Sequence, residues 1–148
     1  MPSTFKKIST ILFGIALWSP VGAQAPPSVL SSGYWYKFSV ATDGVYKIDY
    51  STLIKAGFSP DQLDPRQLQL YAAGNGMLPQ SNSAPRMNRL QQLAMFVQGE
   101  NDGKFDKEDY ILFWGEGPDV HAFNTSKQLF DYQNNLYSDK NFYFLTTG

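Results

Sequence analysis

Two segments near the front of the chain alternate in the way a half-buried strand requires. Tyr34, Tyr36, Phe38 and Val40 fall at every second position between Gly33 and Val40, and Tyr46, Ile48 and Tyr50 do the same between Val45 and Tyr50. A period of two places each set on one face of a pleated strand. Aromatic and β-branched residues suit that surface. Thr42-Asp43-Gly44 between the segments is turn chemistry, with Gly44 able to take positive φ, so the two strands are expected to pair as a hairpin.

The pattern recurs along the chain. Gln67 to Ala72 alternates, with Leu68 and Leu70 set against Gln67, Gln69 and Tyr71. Leu93 to Val97 reads as a strand, as does Asn141 to Thr146. Tyr110 to Trp114 (YILFW) is an unbroken apolar run and is expected to be a central strand. Helical signals are short. Ser51 is a candidate N-cap for a helix through Leu53, Ile54 and Ala56, with Gly57 as its stop. Ser59-Pro60-Asp61-Gln62 is a second start, with Pro at the first helical position and Gln three after Ser, and it ends by Asp64-Pro65. Gly74-Asn75-Gly76 is a turn that needs unusual backbone angles. Residues 79–89 read as a polar loop, 99–109 as an acidic loop, and 119–135 as irregular chain with a helical turn near Leu129-Phe130. The expected fold is mostly β: an antiparallel β-sandwich or jelly-roll-like domain with one or two short helices.

The first residues carry an export signature. Lys6 and Lys7 precede an apolar run from Ile8 to Trp18, and Val21-Gly22-Ala23 places small residues before a cut after Ala23. That run is about half of the roughly 20 residues a membrane-spanning helix needs. The resulting plan is a signal peptide at 1–23, a Pro/Ser linker at 24–32, and a β-rich domain at 33–148. The chain stops just past the last strand, as a truncated gene product or one piece of a longer protein would. Export places the protein in the periplasm, at the outer membrane or on the cell surface. Removing 1–23 takes away two lysines and no acid, leaving ten basic against thirteen acidic side chains and a formal charge of −3. That balance argues against nucleic acid as a partner, because phosphate binding needs clustered Lys and Arg. The chain has no cysteine, so it has no Cys nucleophile and no thiolate metal site. An exported domain without disulfides rests on its apolar core, and the 16% of residues that are aromatic supply large area for it.

The sharpest polar feature is the acidic loop. Aligning Gly103 with the turn glycine of a calcium loop puts Gln98 at the first position, Glu100 at the third, Asp102 at the fifth, Asp106 at the ninth and Asp109 at the twelfth. Glu100, Asp102, Lys104, Asp106 and Asp109 form the candidate metal set, with calcium as the cofactor. The alternative is a solvated Asp/Gly turn in which Lys104 and Lys107 partly balance the acids. His121 is the only histidine. It has apolar neighbours and no second His or Cys, so it reads as a surface or packing residue. Ser31, Ser32, Ser81 and Ser83 show no nucleophile-elbow pattern, and Gly74-Asn75-Gly76 lacks the Lys of a phosphate loop. Asn124-Thr125-Ser126 fits a glycosylation acceptor. Exposed Tyr and Trp could stack on sugars, and Arg86 or Arg89 could enter a basic-specific protease pocket. The chain alone is expected to catalyse nothing.

Taken in order, several segments resemble the start of the type IX secretion system sortases, the PorU-like proteins of the gingipain-type cysteine peptidase family. They are Gly33 to Lys37 (GYWYK), Asp43 to Asp49 (DGVYKID), Leu70 to Pro79 (LYAAGNGMLP), Asn82 to Pro85 (NSAP), Asp102-Gly103, Phe105-Asp106, Asp109 to Pro118 (DYILFWGEGP), Asn135 to Asp139 (NLYSD) and Phe142 to Thr146 (FYFLT). The resemblance covers nearly everything from Gly33 onward. It implies a non-catalytic amino-terminal β-domain preceding a peptidase-like domain. In such sortases that domain removes a carboxy-terminal sorting domain from cargo and joins the cargo to surface lipopolysaccharide. The resemblance implies as partners the downstream peptidase domain, the outer-membrane components of the secretion system, and cargo proteins. The family's Cys/His pair lies downstream, and no position here matches it. Tyr132 stands where the family's FxHxxN pattern carries His. The alternatives from other classes are a calcium- or carbohydrate-binding extracellular module and the inhibitory propeptide of a secreted cysteine protease.

Overall fold

The computed structural model describes residues 28–147 except Asn88. The expected signal peptide and residues 24–27 of the linker lie outside the described residues. Among those described, the strands are β1 (Trp35–Val40), β2 (Gly44–Asp49), β3 (Leu68–Ala72), β4 (Gln91–Leu93), β5 (Phe96–Gln98), β6 (Tyr110–Gly115), β7 (Val120–Asn124), β8 (Leu129–Gln133) and β9 (Asn141–Thr147). One short helix, α1 (Tyr50–Lys55), follows β2. The strands form a four-stranded sheet in the order β1-β9-β3-β4, a three-stranded sheet in the order β2-β6-β5, and a separate β7-β8 ribbon. Every pairing is antiparallel. The mostly β, antiparallel sandwich with little helix is therefore as expected.

The inner faces of the two larger sheets make the core. Val40 on β1, Leu70 and Ala72 on β3, and Tyr143 and Leu145 on β9 are buried from one side, while Ile48 on β2 and Ile111 and Phe113 on β6 are buried from the other. Aromatic rings bridge the sheets: Phe38 meets Phe113 edge to face at 5.5 Å, and Phe113 meets Tyr143 at 5.5 Å. Leu53 from α1, with Leu63 and Phe105 from connections, joins the same cluster. Each fully buried side chain of this size stabilises the fold by about 1.5–3 kcal/mol.

Four local expectations are corrected. First, β1 and β2 do not form a hairpin. β1 pairs with β9 (Phe38 opposite Tyr143) and β2 with β6 (Ile48 opposite Ile111), in different sheets. The Asp43 carboxylate accepts a hydrogen bond from the Gly117 backbone N–H at 2.7 Å, so the connection is held against the end of β6 rather than closing a tight turn. Second, Leu93 to Val97 is two strands. β4 pairs with β3 and β5 with β6, so the chain changes sheets at Ala94-Met95. Third, residues 119–135 are not irregular, because 120–133 hold the β7-β8 ribbon. Fourth, α1 is capped by Asp49 rather than Ser51: the Asp49 carboxylate accepts from Thr52 N–H at 2.9 Å and from both hydroxyls, Ser51 and Thr52. Ser59 makes no side-chain cap, and Pro60–Gln62 is a single 3-10 turn. Gly74 and Gly76 do take left-handed angles (φ 93° and 82°), as their turn requires.

Candidate functional site

The acidic loop connects β5 to its neighbour β6. Its 3-10 turn, Glu100–Asp102, is flanked by Gly99 and Gly103, and Phe105 is fully buried beneath it. The carboxylates turn back onto the loop itself. Asp102 accepts from Lys104 N–H at 3.0 Å, and Asp109 accepts from Asp106 N–H at 2.7 Å. Positive charge reaches the loop from Arg66, whose guanidinium lies where a Cβ on Gly103 would meet it. Arg66 is held by a two-point pair with Asp64 (2.8 and 2.7 Å). That pairing lowers the Asp64 pKa and raises that of Arg66, to which Glu100 and Asp102 also contribute. Glu100, Asp102, Lys104, Asp106 and Asp109 are thus strung along one connection. Among the described residues, no three His, Cys, Asp or Glu side chains come together as a metal site.

His121 lies on the β7-β8 arm, where its ring packs on Tyr132 at 4.9 Å. Alternation places His121, Phe123, Phe130 and Tyr132 on one face, and Phe123 meets Phe130 edge to face at 5.2 Å. Phe123, Phe130 and Tyr132 are exposed. The opposite face is mixed, with Val120, Ala122 and Leu129 beside Asn124, Asp131 and Gln133. There Asn124 Nδ2 donates to Asp131 at 2.7 Å, and Asn124 Oδ1 accepts from the backbone N–H groups of Ser126 and Lys127. The side chain of the glycosylation-type Asn124 is therefore built into the arm's own turn. Asp119 anchors the arm, accepting from Tyr132 O–H at 2.6 Å and from Asn135 N–H at 2.8 Å. These donors, Tyr132 first, hold the Asp119 carboxyl below the usual range. Tyr132 thus has a structural task in the arm.

Arg86 folds back on its own loop, donating to Pro79 O, Ser81 O and Asn82 Oδ1. Ser81 and Ser83 hydroxyls lie 2.8 Å from one another. Sequence reasoning missed a junction at one end of the sandwich. Tyr143 accepts from Glu116 N–H at 2.6 Å and donates to Glu116 O at 3.0 Å, and Asn141 Nδ2 donates to the same carbonyl. With the Asp43–Gly117 bond, this ties β6, β9 and the β1–β2 connection together. The clue available beforehand was the Gly115-Glu116-Gly117-Pro118 run, whose glycines permit close approach. At the other end, a cleft of about 530 Å³ opens between the start of β1 and the chain after α1, lined in part by Tyr34, Trp35, Tyr36, Phe58 and Gln62.

No protein-family model matches the chain, and no curated protein does. Among solved structures it is similar to the crystal structure of dimeric latent PorU from Porphyromonas gingivalis, with a TM-score of 0.61 and 28% sequence identity. The match covers 81% of this chain but 10% of that one, so the chain spans about a tenth of that protein's length. Over four-fifths of its residues, the chain is PorU-like in both fold and sequence.

Proposed function

We propose that this chain is the non-catalytic amino-terminal domain of an exported type IX secretion system sortase. Its parent would be a gingipain-like cysteine peptidase and transpeptidase that removes carboxy-terminal sorting domains and attaches cargo to surface lipopolysaccharide. The observation that carries the reading is the likeness to PorU over most of this chain and a small part of the other. The side-chain chemistry agrees: the chain has no cysteine, and its one histidine is exposed with its ring tilted against that of Tyr132. The role left to the domain is to hold and present neighbouring parts. The β7-β8 arm suits that role. A two-stranded ribbon is marginal on its own, and the exposed aromatic face of this one (Phe130 is 72% exposed) would be covered by an adjacent domain of the parent. The signal-like residues 1–23 fit an outer-membrane or surface destination.

The test has two parts. The purified chain, incubated with a cargo protein bearing a carboxy-terminal sorting domain, should leave it intact. The reading frame continuing past Gly148 should encode a Cys/His peptidase domain whose cargo processing fails when residues 28–147 are deleted. Cleavage by the isolated chain, or a downstream frame without such a domain, refutes the proposal.

A further inference from the structure

The cleft at the start of β1 has a chemistry of its own. Its volume of about 530 Å³ falls within the roughly 300–1,000 Å³ typical of small-molecule sites. Its walls are aromatic and fixed. Tyr36 and Phe58 meet edge to face at 6.2 Å. Trp35 is held by its Nε1–H, which donates to Ser32 O at 2.7 Å, and by an edge contact with Tyr71 at 5.4 Å. Tyr34 precedes the strand and is 86% exposed, leaving a ring face open to solvent at the cleft. Two exposed amides, Gln62 and Gln67, stand on the rim. Among the described residues, the lining contains no Lys, Arg or His, and its one carboxylate, Asp64, is closed on Arg66.

A ligand complementary to these groups has a flat C–H face to lie on a ring and adjacent hydroxyls to pair with an amide, which offers donor and acceptor side by side. An anion would find no unpaired cation among the described residues of the cleft. A wholly apolar ligand would cover the amides without satisfying them. We propose that the cleft is a binding site for a neutral saccharide, stacked on Tyr34 and hydrogen-bonded by Gln62 and Gln67. The inference rests on the cleft alone and does not depend on what the parent protein does.

The purified chain is titrated calorimetrically with cellohexaose, mannohexaose and chitohexaose. Polygalacturonate serves as the anionic comparison and an unstructured Leu/Ser octapeptide as the peptide comparison. Tryptophan emission is followed in parallel, because Trp35 lines the cleft. At least one neutral oligosaccharide should bind, with Tyr34→Ala and Gln62→Ala each weakening binding tenfold or more. Both residues are exposed, so the melting temperature should not move. Absence of heat and of emission change with all three sugars overturns the proposal. So does sugar binding that survives Tyr34→Ala, or tighter binding of polygalacturonate or the peptide.

Discussion

Tyr143→Phe removes one oxygen atom from the junction at one end of the sandwich. Tyr143 is 2% exposed, and its hydroxyl both accepts from Glu116 N–H and donates to Glu116 O. The ring stays in phenylalanine, so the contacts with Phe38 at 5.7 Å and Phe113 at 5.5 Å survive and no large cavity opens. The Glu116 carbonyl keeps Asn141 Nδ2 as a donor, but the Glu116 N–H loses its acceptor. Stranding a buried donor costs about 1–3 kcal/mol, and the part-buried setting of Glu116 favours the lower half of that range. With a urea m value of about 1–2 kcal/mol/M for a chain of this size, the unfolding midpoint should fall by about 1 M. The experiment is urea denaturation followed by circular dichroism, repeated across pH. Burial raises the phenol's pKa above its ordinary value of 10.0 in the folded protein. The folded state therefore holds that proton more tightly than the unfolded chain does. The associated stability is complete below pH 10 and is lost as pH climbs past it. Tyr143→Phe should lose less stability above pH 10 than the parent protein does. A variant as stable as the parent to within about 0.3 kcal/mol, well under the cost of one buried unmade bond, would refute the view that this hydroxyl joins the two sheets.

Gly117→Ala places a Cβ 2.9 Å from Ala41 O and 3.1 Å from Thr42 Cα; backbone atoms cannot swing aside, so a loss of about 1–3 kcal/mol is expected in thermal unfolding. Asp49→Ala should destabilise by about 1 kcal/mol through loss of the α1 cap, whereas Asp49→Asn should keep most of it. The Thr52 N–H, followed by the Ser51 and Thr52 hydroxyls, lowers the Asp49 pKa from 3.8 to about 2. Its contribution is thus present above pH 4 and fades as pH falls toward 2, and acid titration of Asp49→Asn should lack that component. Asp119→Asn should loosen the arm without touching the core: amide exchange in 120–133 should quicken about five- to tenfold as the charge-assisted bonds from Tyr132 and Asn135 weaken, while the global unfolding midpoint stays in place.

Alternation along the chain was enough to identify most strands and their inward faces. Tyr36, Phe38 and Val40 on β1, Leu68 and Leu70 on β3, and Tyr143 and Leu145 on β9 all turn toward the core as a two-residue period dictates. The apolar run of β6 was legible as a central strand, and it does lie between β2 and β5. Lack of cysteine and isolation of the one histidine also limited the chemistry before any fold was known.

Partners were decided only by tertiary structure. An inward-facing period is the same whether two strands lie side by side in one sheet or face each other across a sandwich, so β1 and β2 looked like a hairpin and are not one. Leu93, Met95 and Val97 keep one unbroken alternation because β4 and β5 point into the same core from different sheets. The β7-β8 arm escaped notice because its turn has no glycine, Gln128 taking the left-handed angle instead (φ 55°), and because its aromatic face meets no core. The tie between Tyr143 and Glu116 spans 27 residues, and the cleft gathers Tyr34, Phe58 and Thr147 from three distant stretches. A periodic pattern reports which way a side chain points; what it meets there depends on contacts between residues far apart in the chain.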